Sequence, residues 1–173
     1  WLFGYRELDH KWLLEKTLKP HQTILDIGAN IGYYALLEYH LIGANGAIIA
    51  VEPSQENINL LEQNLKLNSI GNVEVINGAV SNYTGRGKFW LARESNLNTF
   101  HKEFLDEKSG AVKAVDVDVF SVRDIVARVG SVDYVRMDIE GHEVEVLGNI
   151  ASLVEDNLAK PAVIFETHTR AYS

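Results

Sequence analysis

The sequence predicts an α/β protein built on a Rossmann-like, doubly wound, mostly parallel sheet. Two observations predict it. Apolar, β-branched runs alternate with helical patterns along the chain, which is how helices come to cover both faces of a sheet. The runs are also continuously apolar rather than alternating, as in strands buried on both faces. They lie at residues 23–27, 47–51, 73–76, 132–137 and 162–165.

The helices have readable ends. An amphipathic segment over residues 7–18 precedes the first strand and stops before Pro20. Residues 33–42 are apolar nearly all round and end at Gly43, which suits a buried helix closed by a left-handed residue. Residues 55–67 place Ile58, Leu61 and Leu65 on one stripe, with Ser54 positioned to cap the start. Ser121-Val122-Arg123-Asp124 has the form of a capping box with Asp in the acidic role. It opens a helix with Val122, Ile125, Val126 and Val129 inward, closed by Gly130. The last helix runs from Glu143 to about Leu153, with Val144, Leu147 and Ile150 inward.

Residues 79–118 break the rhythm. A turn at Tyr83-Thr84-Gly85, a strand-like Lys88-Phe89-Trp90-Leu91, a polar stretch over 92–110 and the alternating Val115-Asp116-Val117-Asp118 predict an inserted hairpin carrying a mobile polar loop. A loop of this length inside a domain is usually functional. Trp90, Phe100 and Phe104 flank it and are expected to pack the hairpin.

Composition bounds the rest. At 173 residues the chain is expected to form one domain over 1–173, with residues 1–20 as a helical lead-in. No cysteine means no disulfide scaffold, thiolate nucleophile or zinc ribbon. A formal charge of −8 argues against broad contact with a phosphate backbone, so no nucleic-acid partner is expected. No apolar run is long enough to cross a membrane, and the first residues lack the pattern of a secretion signal. A cytoplasmic compartment is expected, and oligomerisation is left open.

The chemistry concentrates in Asp26-Ile27-Gly28-Ala29-Asn30-Ile31-Gly32, directly after the first strand and opening a helix. In open α/β sheets the first strand–helix turn is the usual ligand site. Gly28 and Gly32 are expected to let the backbone turn tightly and approach a ligand. Glu52, at the tip of the second strand, is placed to accept the two hydroxyls of a ribose. A dinucleotide site sets a pyrophosphate against this turn, yet Asp26 stands beside it and Asn30 replaces the middle glycine of G-x-G-x-x-G. Two negative groups ~4 Å apart repel by about 4 kcal/mol at a surface-like dielectric. S-adenosylmethionine reverses that sign, because it has no phosphate and carries an ammonium and a sulfonium. An NAD(P)-dependent oxidoreductase and a non-catalytic cofactor-binding module stay open as alternatives.

The segment from Ile24 to Tyr34 resembles the first motif of the FkbM family of S-adenosylmethionine-dependent methyltransferases. Val51-Glu52-Pro53-Ser54, Asn77-Gly78-Ala79-Val80-Ser81 and Asp138-Ile139-Glu140-Gly141-His142-Glu143-Val144-Glu145-Val146-Leu147-Gly148 agree in order, and Phe165-Glu166 fits the last strand. The resemblance implies a class I methyltransferase fold lacking its final strands here, and O-methylation of a hydroxyl on a sugar or other small natural product. It implies that Asp26 lies near the methionine amino group, backed by Gly28, Asn30 and Gly32, with Glu52 on the ribose. Asn77, Ala79 and Ser81 would meet the adenine edge, largely through backbone.

Asp138 ends the fourth strand, Glu140 and His142 follow at alternate positions, and Glu166 and His168 extend the fifth. An alcohol acceptor needs a base, so Asp138 or His142 is expected to take its proton, with Glu140 and Glu166 orienting it. The same oxygens suit Mg²⁺, but clustered acids are common without a metal and none is expected. His10, His21, His40 and His101 have no evident partner in the sequence and read as surface or packing residues.

Overall fold

The computed structural model describes residues 8–93, 97–105 and 112–167. His168 and parts of the polar stretch therefore lie outside the described residues. The chain runs α1 (Leu8–Thr17), β1 (Thr23–Ile27), α2 (Tyr33–Ile42), β2 (Ala47–Glu52), α3 (Gln55–Leu67), β3 (Val73–Asn77), β4 (Ala79–Ser81), β5 (Gly85–Leu91), β6 (Lys113–Ser121), α4 (Val122–Val129), β7 (Tyr134–Met137), α5 (Glu143–Glu155) and β8 (Ala162–Phe165).

The expected parallel sheet forms, in the order β3-β2-β1-β7-β8. Successive residues of β1 face opposite sides, as a pleated strand requires. Ile24 joins a core with Leu14, the inner face of α2 and Leu61 and Leu65 of α3. Leu25 and Ile27 join a second core under α4 and α5, with Val126, Val146 and Leu153. The sheet is thus wound on both faces. The chain order reverses between β1 and β7, and a crevice opens there at the carboxyl ends of the strands.

The inserted hairpin forms between β5 and β6 with Gly85 opposite Val119, and β4 joins it in parallel to make a second, three-stranded sheet. Its core is Ala79, Phe89, Val117 and Val119. The third strand escaped the sequence reading because three residues carry no periodicity of their own.

Two local details differ from expectation. The Ser121 hydroxyl accepts from Asp124 N–H at 3.1 Å, but the reciprocal arm of the capping box is made by Thr84, whose Oγ1 accepts from Ser121 N–H at 2.9 Å. On α5 Leu147 and Ile150 pack inward as expected, but Val144 is exposed and Val146 is buried instead.

Candidate active site

The turn after β1 alternates left-handed residues, with φ of 77° at Gly28, 50° at Asn30 and 87° at Gly32. Neighbouring packing constrains both glycines. A Cβ on Gly28 would stand 2.3 Å from the Asp138 carbonyl oxygen, and one on Gly32 would stand 2.4 Å from Leu61 Cδ1. Glu52 holds the turn from the side. Its Oε2 accepts from Asn30 N–H at 3.0 Å, while Oε1 accepts from Ser54 N–H at 2.9 Å and Asn57 Nδ2 at 3.1 Å. Burial raises the Glu52 pKa, and these hydrogen bonds oppose the shift.

Asp26 is not the lone acid expected from the sequence. It is fully buried beneath the turn, and Arg136 Nη1 lies 3.1 Å from its Oδ1. The two are register partners on β1 and β7. Arg136 also donates to the Gly28 carbonyl at 3.2 Å and to Asp138 Oδ2 at 3.2 Å, and its guanidinium lies 3.9 Å from the centroid of the Tyr34 ring. Arg136 was missed in the sequence, although a charged residue inside the apolar run 132–137 was itself the signal, since a buried charge requires a partner. Glu38 of α2 faces the same cluster, fully buried, with neither oxygen hydrogen-bonded. Burial, reinforced by Asp26, raises its pKa well above the ordinary carboxyl value, favouring the neutral form.

The rim after β7 carries the other predicted residues. Glu140 and Gly141 adopt φ of 51° and 96°. A non-glycine residue in this region costs about 1 kcal/mol or more, and such strain gathers at functional sites. The turn is held from below by Glu143, whose Oε1 accepts from Gly141 N–H at 3.2 Å, and from above by Thr99, whose hydroxyl donates to the Glu140 carbonyl at 3.0 Å. His142 is the N-cap residue of α5, with no capping hydrogen bond from its side chain. Its Nε2 lies 2.9 Å from Ser81 Oγ and its Nδ1 lies 3.1 Å from His101 Nε2. His101, read as partnerless, therefore has a partner far away in the chain. Burial lowers the His142 pKa, so the ring is neutral at neutral pH.

These elements enclose a cleft of about 600 Å³ at the switch between β1 and β7. That is within the range of small-molecule sites. Gly28, Asn30, Glu52, Ala79, Asp138, Glu140, His142 and Glu166 line it together, and Arg136 joins them. Asp26, Gly32, Asn77 and Ser81 do not line it. The Asn77 side chain is exposed and donates to Gln55 Oε1 at 2.7 Å, while Ser81 is buried against His142. Phe100, expected to pack, does so edge-on to Phe89 with centroids 5.2 Å apart, and it lines the cleft as well. Trp90 pairs through its backbone with Thr99 and sits under Lys102 Nζ, 5.1 Å from the ring centroid. The lining includes the carboxyl groups of Glu52, Asp138, Glu140 and Glu166 and one guanidinium, that of Arg136, so carboxyl groups are in surplus on the cleft wall.

The fold and this cleft can be set beside known proteins. Over 84% of its length the chain is similar to a methyltransferase FkbM from Methylobacillus flagellatus KT, covering 33% of that chain at 17% identity with a TM-score of 0.57. That likeness is one of fold. Shorter stretches are similar to a SAM dependent methyltransferase from Aquifex aeolicus (29% identity, 39% of this chain, 36% of that chain, TM-score 0.36). An rRNA methylase from Streptococcus thermophilus matches at 17% identity over 41% of each chain, with a TM-score of 0.38. The chain thus spans 33% to 41% of the length of these solved structures. No curated protein matches it. The methyltransferase FkbM domain model matches residues 26–173, and the chain belongs to that family.

Proposed function

We propose that the protein transfers a methyl group from S-adenosylmethionine to a hydroxyl of a sugar or other small natural product. The observation that carries this reading is the cleft at the β1–β7 switch, walled by four carboxyl groups against one guanidinium. That surplus of negative charge suits a cationic donor and repels diphosphates. The charge belongs to the rim rather than to Asp26, whose part is to hold Arg136 and, through it, the Gly28 turn.

The donor set fits the cofactor. Glu52 stands at the tip of β2 with its carboxylate on the cleft wall, where it can accept the ribose hydroxyls. Gly28 and Asn30 supply the backbone beside the methionine portion. Gly78, Ala79 and Val80 offer an apolar wall for the adenine, with Asn77 and Ser81 supporting that wall from outside. S-adenosylmethionine supplies, when bound, a methyl on a leaving group that is already activated.

The chain's own residues then have to align the acceptor, exclude water and take a proton. Asp138 is the better base of the two candidates. It ends β7 beside β1, and its side chain is 27% exposed, toward the cleft. His142 Nε2 lies 2.9 Å from Ser81 Oγ, and its Nδ1 faces His101 Nε2 at 3.1 Å rather than an acceptor. A carboxylate suffices, because the hydroxyl becomes strongly acidic as its oxygen bonds to the methyl carbon. Glu140 and Glu166 face the same space and orient neighbouring hydroxyls of a polyol. No helix among the described residues is long and apolar enough to cross a membrane.

Incubation with methyl-labelled S-adenosylmethionine and a panel of monosaccharides, other polyols and amines tests the reading. Label recovered as an O-methyl ether of a polyol is expected. Label confined to amines, or transferred to no acceptor, would overturn it.

A further inference from the structure

Behind His142, on the wall of the cleft, a second cluster gathers. His142 caps α5, Glu145 follows in its first turn, and His101 comes from the loop after β5. His142 Nδ1 lies 3.1 Å from His101 Nε2 and 3.6 Å from Glu145 Oε2, and the three atoms all lie within 4.8 Å of one another. A tetrahedral ion with bonds of about 2.05 Å has ligand–ligand edges of about 3.3 Å. The two shorter separations match such edges, and a rotation of the Glu145 side chain closes the third.

The outer ring nitrogens set the sign of the inner ones. His101 Nδ1 faces Glu103 Oε1 at 3.3 Å. An ionised carboxylate only accepts, so a neutral His101 ring bonded to it holds its proton on Nδ1 and presents the Nε2 lone pair. Ser81 Oγ, 3.4 Å from Asn82 Oδ1, spends its own proton there and accepts from His142 Nε2, leaving a lone pair on His142 Nδ1. Two imidazole lone pairs and one carboxylate oxygen thus converge on a single point. In these tautomers all three atoms are acceptors, and one shared cation would satisfy them together. A ligating histidine whose far nitrogen donates to a carboxylate or hydroxyl is the usual outer arrangement of a metal site.

The geometry points to a Zn²⁺ site formed by His101, His142 and Glu145, which clips the loop over residues 97–105 to the start of α5. Two imidazoles and a carboxylate suit zinc, with a fourth position for water. The loop it fixes carries Asn98 and Phe100, both on the cleft wall, and Thr99, already bonded to the Glu140 carbonyl. The ion would therefore stiffen one wall of the cleft. Sequence inspection, which expected no metal, had no means of joining ligands 41 residues apart.

Equilibrium dialysis of the purified chain against ZnCl₂, followed by elemental analysis and competition with a chromogenic chelator, tests the site. One zinc per chain is expected, with affinity lowered at least about tenfold by His101→Ala and by Glu145→Gln. Cobalt in place of zinc should give a visible tetrahedral absorption that both variants lose. Thermal melts of the metal-free variants check folding; if His101→Ala does not fold, Glu145→Gln on the half-exposed helix turn decides alone. Zinc bound equally by the wild type and both variants would mean that other histidines hold it. No zinc bound would mean that the point holds only a proton. Either result overturns the assignment, and neither depends on methyl transfer.

Discussion

Arg136 and Asp26 stand side by side on adjacent parallel strands, with Nη1 of one 3.1 Å from Oδ1 of the other in the core beneath the glycine turn. The pair fixes the floor of the cleft, because the same guanidinium reaches the Gly28 carbonyl and Asp138. It also cancels the charge that the sequence alone assigned to Asp26. The negative surplus then belongs to groups on the cleft wall.

Arg136→Met should destabilise the chain by about 3–5 kcal/mol, because removing one partner leaves a buried carboxylate uncompensated. Urea unfolding of the variant measures this. A loss below about 1 kcal/mol would mean that the pair does not hold β1 to β7.

Gly28→Ala meets both a left-handed φ and the Asp138 carbonyl, whereas Gly43→Ala meets only a positive φ, with no atom within 4 Å of the new Cβ. The first should cost several kcal/mol and abolish cofactor binding. The second should cost about 1 kcal/mol and leave binding intact. Paired thermal melts separate steric from conformational cost, and equal losses would refute the packing explanation of the turn.

Glu38 gives a pH prediction. Its folded pKa lies above its unfolded value of about 4.3, so the native state binds more protons than the unfolded one above that pH. Its contribution to stability is full below the unfolded pKa and is lost as pH rises through the folded value. Glu38→Gln, which stays neutral, should therefore gain stability relative to wild type as pH rises from about 4 to 7. Parallel stability curves for the two proteins across that range would contradict the assignment.

Asp138→Asn should lower turnover by roughly 10²–10⁴-fold while leaving S-adenosylhomocysteine affinity within a few-fold. Single-turnover rates with saturating cofactor read this. Unchanged turnover would remove Asp138 as the base and return the role to another rim residue.

Much of this arrangement was legible in the chain. The β-branched runs gave the five parallel strands, and Ser54, Gly43 and Gly130 marked helix ends, because each of these signals is local. The glycine turn, Glu52, Asp138, Glu140 and Glu166 were also legible, since strand tips in a doubly wound sheet share one edge. What escaped was set by distant packing. Arg136 needed the β1–β7 register to reveal its partner. His101 needed the loop docked on Glu140 through Thr99. Asn77 and Ser81 fell at the right spacing, but strand pleat and the short β4 turn their side chains away from the cleft.

Isothermal titration with S-adenosylhomocysteine and, separately, with NADP⁺ tests the charge of the cleft. The four wall carboxyl groups predict saturable heat from the first ligand and none from the second. Saturable heat from NADP⁺ with none from S-adenosylhomocysteine would contradict that prediction.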